Sequence, residues 1–196
     1  KLGLMYAEGR GVEIDYAKSL ELMLSAAQEG DYEAQNNLGV MYEYGYGVPQ
    51  SNEEAFFWYQ KAAFQSSETA ESNLANMYYE GRGVKQDTAK ALFWYERAAR
   101  GGSADAHNNL GLIYSSGPEE LRDMYAAVYN FASSAVIGNP AGQLNLGRMY
   151  WHGQGGLKAD QQKSIELISL SAEQGFAESI EILRKLEAQG TAPTAL

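Results

Sequence analysis

The sequence predicts an all-α protein made of about five 36-residue copies of a helix pair, followed by a terminal helix. Self-similarity at a fixed period is the signature of repeat architectures. The recurring tyrosines are Tyr6, Tyr42, Tyr78, Tyr114 and Tyr150, and the recurring leucines are Leu2, Leu38, Leu74, Leu110 and Leu146. No segment shows the two-residue alternation that is typical of a β-strand. A helix pair of this size buries its apolar stripe only by stacking on its neighbours, so we expect a continuous array.

The first helix of each copy is predicted from a capping residue, an apolar stripe and a terminal glycine. In the second copy Asp31 is the expected N-cap, and residues 32–44 place Leu38 and Met41 on one helical stripe. The equivalent caps in later copies are Ser67, Ser103 and Asn139, and the terminal glycines are Gly9, Gly45, Gly81, Gly117 and Gly153. Glycine at this place predicts a left-handed C-cap. A small residue follows each recurring leucine, as Gly39 does, so we expect the helices to approach closely there.

The second helix of each copy has its own predicted cap. These caps are Asp15, Ser51, Asp87, Asp123 and Asp160. Ser51 and Glu54 match a capping box, in which each side chain accepts a hydrogen bond from the other residue's backbone N–H. Trp58 and Trp94 are equivalent, and we expect such rings to fill the gaps between stacked helices. The alternative, a platform on which nucleic-acid bases stack, fits the acidic charge of the chain less well.

The array is predicted to form one domain over residues 1–190. Its copies span approximately residues 1–30 (partial), 31–66, 67–102, 103–138 and 139–175, with a terminal helix at 176–189 and a flexible tail at 191–196. The fifth copy is one residue longer because of the glycine pair Gly155-Gly156, which places the insertion in a loop. The first copy begins inside its first helix, so we expect the natural protein to extend upstream.

Composition and charge exclude several classes of function. The chain has 15 Lys and Arg against 25 Asp and Glu, a net charge of −10. Because phosphate binding needs a clustered basic surface, this balance argues against nucleic acid as a partner. The absence of Cys excludes disulfides, thiolate catalysis and Cys-based zinc sites. No apolar run is long enough for a membrane span, so we expect no membrane insertion.

The sequence offers no recognised catalytic or cofactor-binding constellation. His107 and His152 are the only histidines, and there is neither an HExxH nor a Gly-x-Ser-x-Gly motif. No Lys has a Ser three residues before it, so the Ser-x-x-Lys nucleophile of β-lactamase chemistry is absent. The recurring Gly-x-Gly follows a helix and lacks the Lys of a phosphate loop, which indicates a turn. We therefore expect no enzyme activity, no cofactor and no metal.

The third copy shows most fully which family the repeat resembles. It contains Glu80-Gly81-Arg82-Gly83-Val84, then Asp87, Lys90-Ala91, Trp94-Tyr95 and Ala98-Ala99. This unit resembles the Sel-1-like repeat, a relative of the tetratricopeptide repeat. The resemblance implies a right-handed superhelical solenoid of antiparallel helix pairs that binds proteins or peptides in a concave groove. The fourth copy departs from the pattern, with Gly117-Pro118-Glu119-Glu120 in place of the glycine turn and Asn130-Phe131 in place of Trp-Tyr.

The resemblance also implies that the first helices line the groove, which makes an asparagine column the first candidate site. The asparagine column consists of Asn37, Asn73, Asn109 and Asn145, and Asn36 and Asn108 precede it in two copies. Asn is a mediocre helix former, so four at one helical position need a reason. One interpretation is that the amides bond neighbouring helices and fix the stacking. The other is that they meet the backbone of a bound peptide, and the two can hold together.

A second set of first-helix positions varies between copies, as a recognition surface does and as any solvated position also does. The set comprises Glu33, Val40 and Glu43; Thr69, Asn76 and Tyr79; Asp105, Leu112 and Ser115; and Leu144, Arg148 and Trp151. An exposed Trp151 beside Arg148 has the composition of a binding hot spot. Glu33, Glu43 and Asp105 predict a basic partner segment, attracted at long range. The alternative is that the acid excess only keeps the array soluble.

Three functional hypotheses follow from these observations. The first is a non-catalytic adaptor that binds a protein or peptide segment, through the asparagine column, Tyr79, Arg148 and Trp151. The second is a structural spacer or assembly element with homotypic contacts through its ends or its convex face. The third, a β-lactamase-like hydrolase, has no residues to support it. Family habit favours a bacterial periplasmic or secreted location over the cytoplasm, and the sequence leaves the partner's identity and the oligomeric state open.

Overall fold

The computed structural model describes residues 1–190, which form two compact units at residues 1–101 and 102–190. Over the described range the secondary structure is helical, as predicted, with eleven α-helices. The tail predicted at residues 191–196 lies outside the described residues.

The first unit contains three helix pairs. Their bounds are α1 Leu2–Glu8, α2 Tyr16–Gln28, α3 Tyr32–Tyr44, α4 Asn52–Ala63, α5 Glu68–Glu80 and α6 Thr88–Arg100. Each helix packs against the next one in the chain. A core formed around Leu38 and Met23 includes the Trp58 indole, which is buried as predicted. Trp94 is buried in the same way in the third copy.

The second unit contains two helix pairs and a terminal helix. Their bounds are α7 Ala104–Ser116, α8 Met124–Ile137, α9 Pro140–His152, α10 Gln161–Glu173 and α11 Ala177–Ala188, with a short 3-10 turn at Glu119–Leu121. The terminal helix predicted at 176–189 is confirmed with Phe176 as its N-cap. Phe131, Leu146 and Met149 form a buried core in this unit.

The capping residues act as predicted, with one exception. In every complete first and second helix the predicted Ser, Asp or Asn side chain accepts a hydrogen bond from a backbone N–H of the first turn. The capping box at Ser51 is only half formed. The Glu54 N–H donates to Ser51 Oγ, but the Ser51 N–H donates to the Tyr42 carbonyl at 2.9 Å. This backbone bond takes the place of the second capping-box bond, in which the Ser51 N–H would donate to the Glu54 carboxylate.

This backbone bond recurs in all five copies and explains why the N-cap N–H is already engaged. The N-cap N–H of the second helix donates to the carbonyl of the recurring tyrosine of the first helix at 2.9 Å in every copy. The pairs are Asp15–Tyr6, Ser51–Tyr42, Asp87–Tyr78, Asp123–Tyr114 and Asp160–Tyr150. We call this bond the turn tie. It closes the connection between the two helices of a pair without using a side chain.

The Gly-x-Gly turn has two separate steric requirements. Gly45 ends α3 in the left-handed region with φ 73°, and Gly9, Gly81 and Gly153 do the same, as predicted. Gly117, which precedes Pro118, is extended instead, so the fourth copy ends its first helix differently. The second glycine has a role that the sequence did not reveal. A Cβ on Gly83 would lie 2.2 Å from the Asn52 carbonyl oxygen, at the start of the preceding copy's second helix.

The close helix approach predicted after the recurring leucine is confirmed. A Cβ on Gly39 would lie 2.5 Å from the Tyr59 ring, and a Cβ on Gly111 would lie 2.5 Å from the Phe131 ring. The ring of the second helix therefore lies directly on the bare backbone of the first. Ala75 is the variant at this position in the third copy, and it is fully buried.

Candidate functional site

In the first unit the asparagine column takes part in stacking the first helices. Asn73 Nδ2 on α5 donates to Asn36 Oδ1 on α3 at 3.1 Å. Asn37 is half-buried, as is Asn73. The amide of Asn73 keeps one N–H and its oxygen beyond this bond, since an amide offers two donors and an acceptor. Stacking and ligand contact therefore remain compatible at Asn73.

The second unit repeats this arrangement. Asn145 Nδ2 on α9 donates to Asn108 Oδ1 on α7 at 2.9 Å. Asn108 is only 8% exposed, so we correct its assignment from the binding surface to the stacking of α9 on α7. Asn109 and Asn145 are half-buried. The residue that accepts the hydrogen bond lies one position before the asparagine column, which explains why Asn recurs at both positions.

Glu43, which we expected to attract a basic partner, is instead engaged inside the first unit. The Tyr59 hydroxyl donates to Glu43 Oε2 at 2.5 Å, and Arg82 Nη1 donates to Glu43 Oε1. The Glu43 side chain is 12% exposed. Burial, with the adjoining Glu43 carboxylate, raises the pKa of Tyr59 far above its ordinary value. The carboxylate therefore fixes a buried ring, and its expected role as an attracting charge is wrong.

Other members of the variable set also have internal partners. The Tyr95 hydroxyl donates to Asn76 Oδ1, and Asn139 Nδ2 donates to Asp105 Oδ1 at 2.6 Å. In the third copy Asn76 thus holds the ring of Tyr95, as Glu43 holds the ring of Tyr59 in the second. Asn76 and Asp105 therefore have contacts inside the fold, so their variation between copies does not by itself indicate ligand recognition.

The expected hot spot at Trp151 and Arg148 also needs correction. Trp151 is half-buried rather than exposed, because α9 packs between α8 and α10. Arg148 Nη2 donates to Glu178 Oε1 on the terminal helix at 2.5 Å, so its charge is paired. Leu144, which we placed on the same surface, is 1% exposed and belongs to the core. Leu144 is the equivalent of Asn108 in the next copy, at the position that stacks one first helix on another.

The first-helix surface that remains open is smaller than predicted. The exposed members of the variable set are Glu33, Thr69, Asp105, Leu112 and Arg148, and Leu112 is 41% exposed. Val40 and Tyr79 are half-buried. Each unit therefore offers amide groups of the asparagine column beside a few apolar side chains, which is a surface suited to a peptide backbone with an apolar side chain.

A polar position recurs on the first helices, and its structural role was not predicted from the sequence. It is occupied by Gln35, Glu71 and Gln143, which are buried, and by His107, which is half-buried. Gln65 Nε2 donates to Gln35 Oε1 at 2.8 Å, and Gln174 Nε2 donates to Gln143 Oε1 at 2.9 Å. A polar residue that recurs every 36 positions beside an apolar stripe is the sequence signal that could have predicted this role.

The third copy places a charged pair at this buried position. Glu71 Oε1 lies 2.8 Å from Arg97 Nη2, and the Glu71 side chain is 4% exposed. Burial raises the pKa of Glu71 although Arg97 acts in the opposite direction. The ionised carboxylate is therefore less stable in the folded protein than in water.

The fourth copy places the half-buried His107 at the same position, and its environment is structural. Asn130 Nδ2 donates to the Ala126 carbonyl at 2.9 Å, which fixes the orientation of the amide. Asn130 Oδ1 then faces His107 Nδ1 at 3.0 Å, so Nδ1 carries the hydrogen of that bond. His107 thus positions α7 on α8 and has no nucleophile beside it in this contact.

The second helices expose apolar side chains that the sequence reasoning did not single out. In the first unit Phe57, Phe64 and Phe93 are exposed. In the second unit α8 contains no charged residue, and its exposed side chains include Tyr125, Tyr129, Val136 and Ile137. Val136 is 88% exposed. These faces are candidate contact surfaces of a different kind from the first-helix surface.

A cavity of about 220 Å³ lies between α1, α2 and α3 in the first unit. Its walls include Leu4, Ala7, Met23 and Val40, and Tyr16 and Tyr46 stand beside it. The two tyrosine rings are stacked, with centroids 5.8 Å apart. Asn37 of the asparagine column also lines the cavity.

Two further properties of the described residues bear on their chemistry. Among residues 1–190 no three His, Cys, Asp or Glu side chains are grouped so that they could hold a metal ion. None of the helices in this part of the chain is long and apolar enough to cross a membrane.

The sequence matches a family model described as the Sel1 repeat. The five matches cover residues 1–31, 33–65, 69–103, 104–135 and 140–176. Sel1 repeat proteins are generally scaffolds for protein–protein interaction and generally non-catalytic. The comparison with curated proteins gave no match.

Three solved structures illustrate the similarity. A Sel1 repeat protein from Oxalobacter formigenes is 33% identical with a TM-score of 0.92, and the match covers 98% of this chain and 80% of that one. A protective antigen of uropathogenic Escherichia coli with an SLR fold is 37% identical with a TM-score of 0.82, over 98% of this chain. This chain spans 41% of the length of that antigen. A Sel1 repeat protein from Klebsiella pneumoniae subsp. pneumoniae is 25% identical with a TM-score of 0.58, over 95% of this chain and 90% of that one.

Proposed function

Because the chain belongs to the Sel1 repeat family, we propose that it is a non-catalytic adaptor that holds a protein or peptide segment on its first helices. Within each unit the proposed contact surface is the exposed face of the first helices, with the asparagine column at its centre. The bacterial relatives, which include an antigen, favour a bacterial protein as the setting of this role.

The observation that carries the proposal is the half-burial of the asparagine amides at one position of four first helices. In Asn73 and Asn145 one N–H bonds the preceding first helix, which fixes the amide plane. A fixed amide with a remaining donor and acceptor can bond the backbone of an extended segment at little entropic cost. Backbone bonds give affinity without sequence preference, and nearby apolar side chains add the preference.

The experiment is capture of a partner from a lysate of the source organism by the immobilised chain. Leu112→Arg places a long cation on the proposed surface, where Leu112 is 41% exposed. Val136→Arg is the matched control, since it adds the same cation to the exposed face of α8. We expect Leu112→Arg to lose the partner and Val136→Arg to keep it, with thermal melting unchanged in both. A partner retained by Leu112→Arg and lost by Val136→Arg would contradict the proposal.

A second candidate function, an assembly element, is favoured by α8. Its exposed apolar face carries no charge, in a chain with a net charge of −10, so two copies can meet there without repulsion. Sedimentation of the wild-type chain and of Tyr129→Glu tests this alternative, because Tyr129 is 67% exposed. A wild-type dimer that Tyr129→Glu dissociates would favour assembly, and a monomer at all concentrations would contradict it.

A further inference from the structure

The cavity between α1, α2 and α3 arises from a substitution within the repeat. The second, third and fourth copies place a ring on the backbone of the first helix, at Tyr59, Tyr95 and Phe131. The first copy has Met23 at this step of the repeat, opposite Gly3. Met23 lines the cavity, so the cavity lies where the next copy places an aromatic ring.

The polar partners of the rings are missing from the first copy as well. Tyr59 is held by Glu43, whose equivalent in the first copy is Ala7. Tyr95 is held by Asn76, whose equivalent in the first copy, Leu4, lines the cavity together with Ala7. The walls at this place therefore suit an apolar ring rather than a phenol. An apolar cavity of about 150 Å³ is large enough for a benzene molecule, and this one measures about 220 Å³.

A buried hydroxyl in the same cavity is unpartnered. Ser19 lines the cavity and is 0% exposed, and within residues 1–190 its Oγ has no hydrogen-bond partner. The second, third and fourth copies have Ala55, Ala91 and Ala127 at this position, and the fifth has Ser164, whose Oγ is also unpartnered within the described residues. A phenylalanine ring does not bond this hydroxyl, so only the backbone of a bound segment can accept its hydrogen bond and offset the cost.

The aromatic rim and the net charge favour a cation beside the apolar group. Glu8 also lines the cavity, but Arg10 already pairs with its carboxylate, so Glu8 does not select the cation. Tyr16 and Tyr46, which also line it, are 36% and 44% exposed. Tyrosine rings attract cations through their faces, and the chain as a whole is acidic.

We propose that this cavity is an anchor pocket for a phenylalanine side chain of the partner, flanked in an extended segment by lysine or arginine. The ring lies against Met23, which stands at the step that Tyr59 occupies in the next copy, and the flanking cation meets the stacked tyrosines. Asn37 lines the same cavity, so the anchor would lie beside the asparagine column. This inference rests on the proposed function and gives its partner a chemical class.

Methionine methyl groups report on the pocket directly. The chain has six methionines, of which Met23 and Met41 line the cavity, so carbon-13 methyl spectra contain both reporters and internal references. The probe is the capped tripeptide Lys-Phe-Lys, compared with Lys-Ala-Lys and Glu-Phe-Glu. We expect Lys-Phe-Lys to shift the Met23 and Met41 signals in a saturable way, and the other two peptides to shift them far less. No shift, or an equal shift with either control peptide, would overturn the proposal.

A variant that fills the pocket makes the test specific. Met23→Phe restores the ring that later copies carry, opposite a glycine that they also carry, so we expect the chain to stay folded. We expect the affinity for Lys-Phe-Lys, read from Met41, to fall by about tenfold or more. Ala7→Leu fills the same cavity from α1 and serves if Met23→Phe does not fold. Unchanged affinity in the folded variant would overturn the proposal.

The two proposals fail in different ways. If binding of a lysate partner depends on Leu112 but Lys-Phe-Lys does not shift the methyl signals of Met23 and Met41, the anchor pocket is wrong and the adaptor function stands. If the tripeptide binds as expected but no captured partner depends on Leu112, the pocket stands and the adaptor surface is wrong.

Discussion

At the scale of single residues, Glu71 gives the sharpest dependence on pH. Burial raises its pKa above the ordinary value of 4.5, despite the ion pair with Arg97. Between 4.5 and the raised value the folded chain binds more protons than the unfolded chain, so its stability falls as the pH rises. The second and fifth copies place the neutral Gln35 and Gln143 here.

We therefore expect Glu71→Gln to gain stability relative to the wild type as the pH rises through and above 4.5. The measurement is the difference in free energy of unfolding between the two chains over a pH series. Glu33→Gln, which changes an exposed carboxylate on α3, is the control and should show no such trend. A difference that shrinks with rising pH would show that Arg97 outweighs burial.

Two buried serines predict opposite effects of the same substitution. Ser19 Oγ has no partner within the described residues, so Ser19→Ala should raise the free energy of unfolding by about 1 kcal/mol. Ser171 Oγ donates to the Pro140 carbonyl at 2.7 Å and adjoins Ser179, so Ser171→Ala should lower it by about 1 kcal/mol. Urea denaturation of the two variants measures both changes. Equal losses in both would mean that Ser19 has a partner after all.

At the scale of elements, the contact of α3 with α4 depends on a bare backbone at Gly39. Gly39→Leu would force a side chain into the Tyr59 ring, and overpacking of this kind costs about 1–3 kcal/mol or more. Thermal melting measures the loss. Ala75→Gly, at the same step of the repeat, is the control and should cost less, since it only removes a methyl group. Wild-type melting of Gly39→Leu would place the helix interface elsewhere.

The fourth copy should be the least protected pair in the second unit. Gly117 lacks the left-handed cap of the other copies, and Asn130 replaces the tryptophan found at Trp58 and Trp94. Because array stability is a sum of repeat and interface contributions, α7 and α8 should exchange their amide hydrogens faster than α9 and α10. Hydrogen exchange read by mass spectrometry compares the two pairs in one experiment. Equal protection would contradict the prediction.

How far the sequence predicts an element depends on how far apart the interacting residues lie. The cap at Asp87 is read from a contact with Lys90, three residues away, and it was predicted correctly. The pair of Glu43 and Arg82 spans 39 residues, and the pair of Gln35 and Gln65 spans 30. These contacts decide which first-helix residues remain open, so the candidate site was predicted less well than the helices.

At the scale of the whole molecule, the net charge of −10 predicts a salt effect on binding to a basic partner. Association should slow as salt rises, because the screening length is about 10 Å at 0.1 M, while dissociation changes little. Glu33 is exposed, so Glu33→Gln should weaken this effect, whereas Leu112→Ala, which removes an exposed apolar side chain from the proposed surface, should speed dissociation instead. Stopped-flow rates over a salt series measure both. A rate of association that is indifferent to salt would contradict the prediction.

The turn tie has a consequence for how such chains change over evolutionary time. In the fifth copy the tie from Asp160 to Tyr150 has the same 2.9 Å length as in the others, although the loop holds one more glycine. A backbone bond at the loop's base absorbs a change of length without shifting the register of either helix. The turn is thus a place where copies can diverge in length by a residue while the helical frame stays in phase.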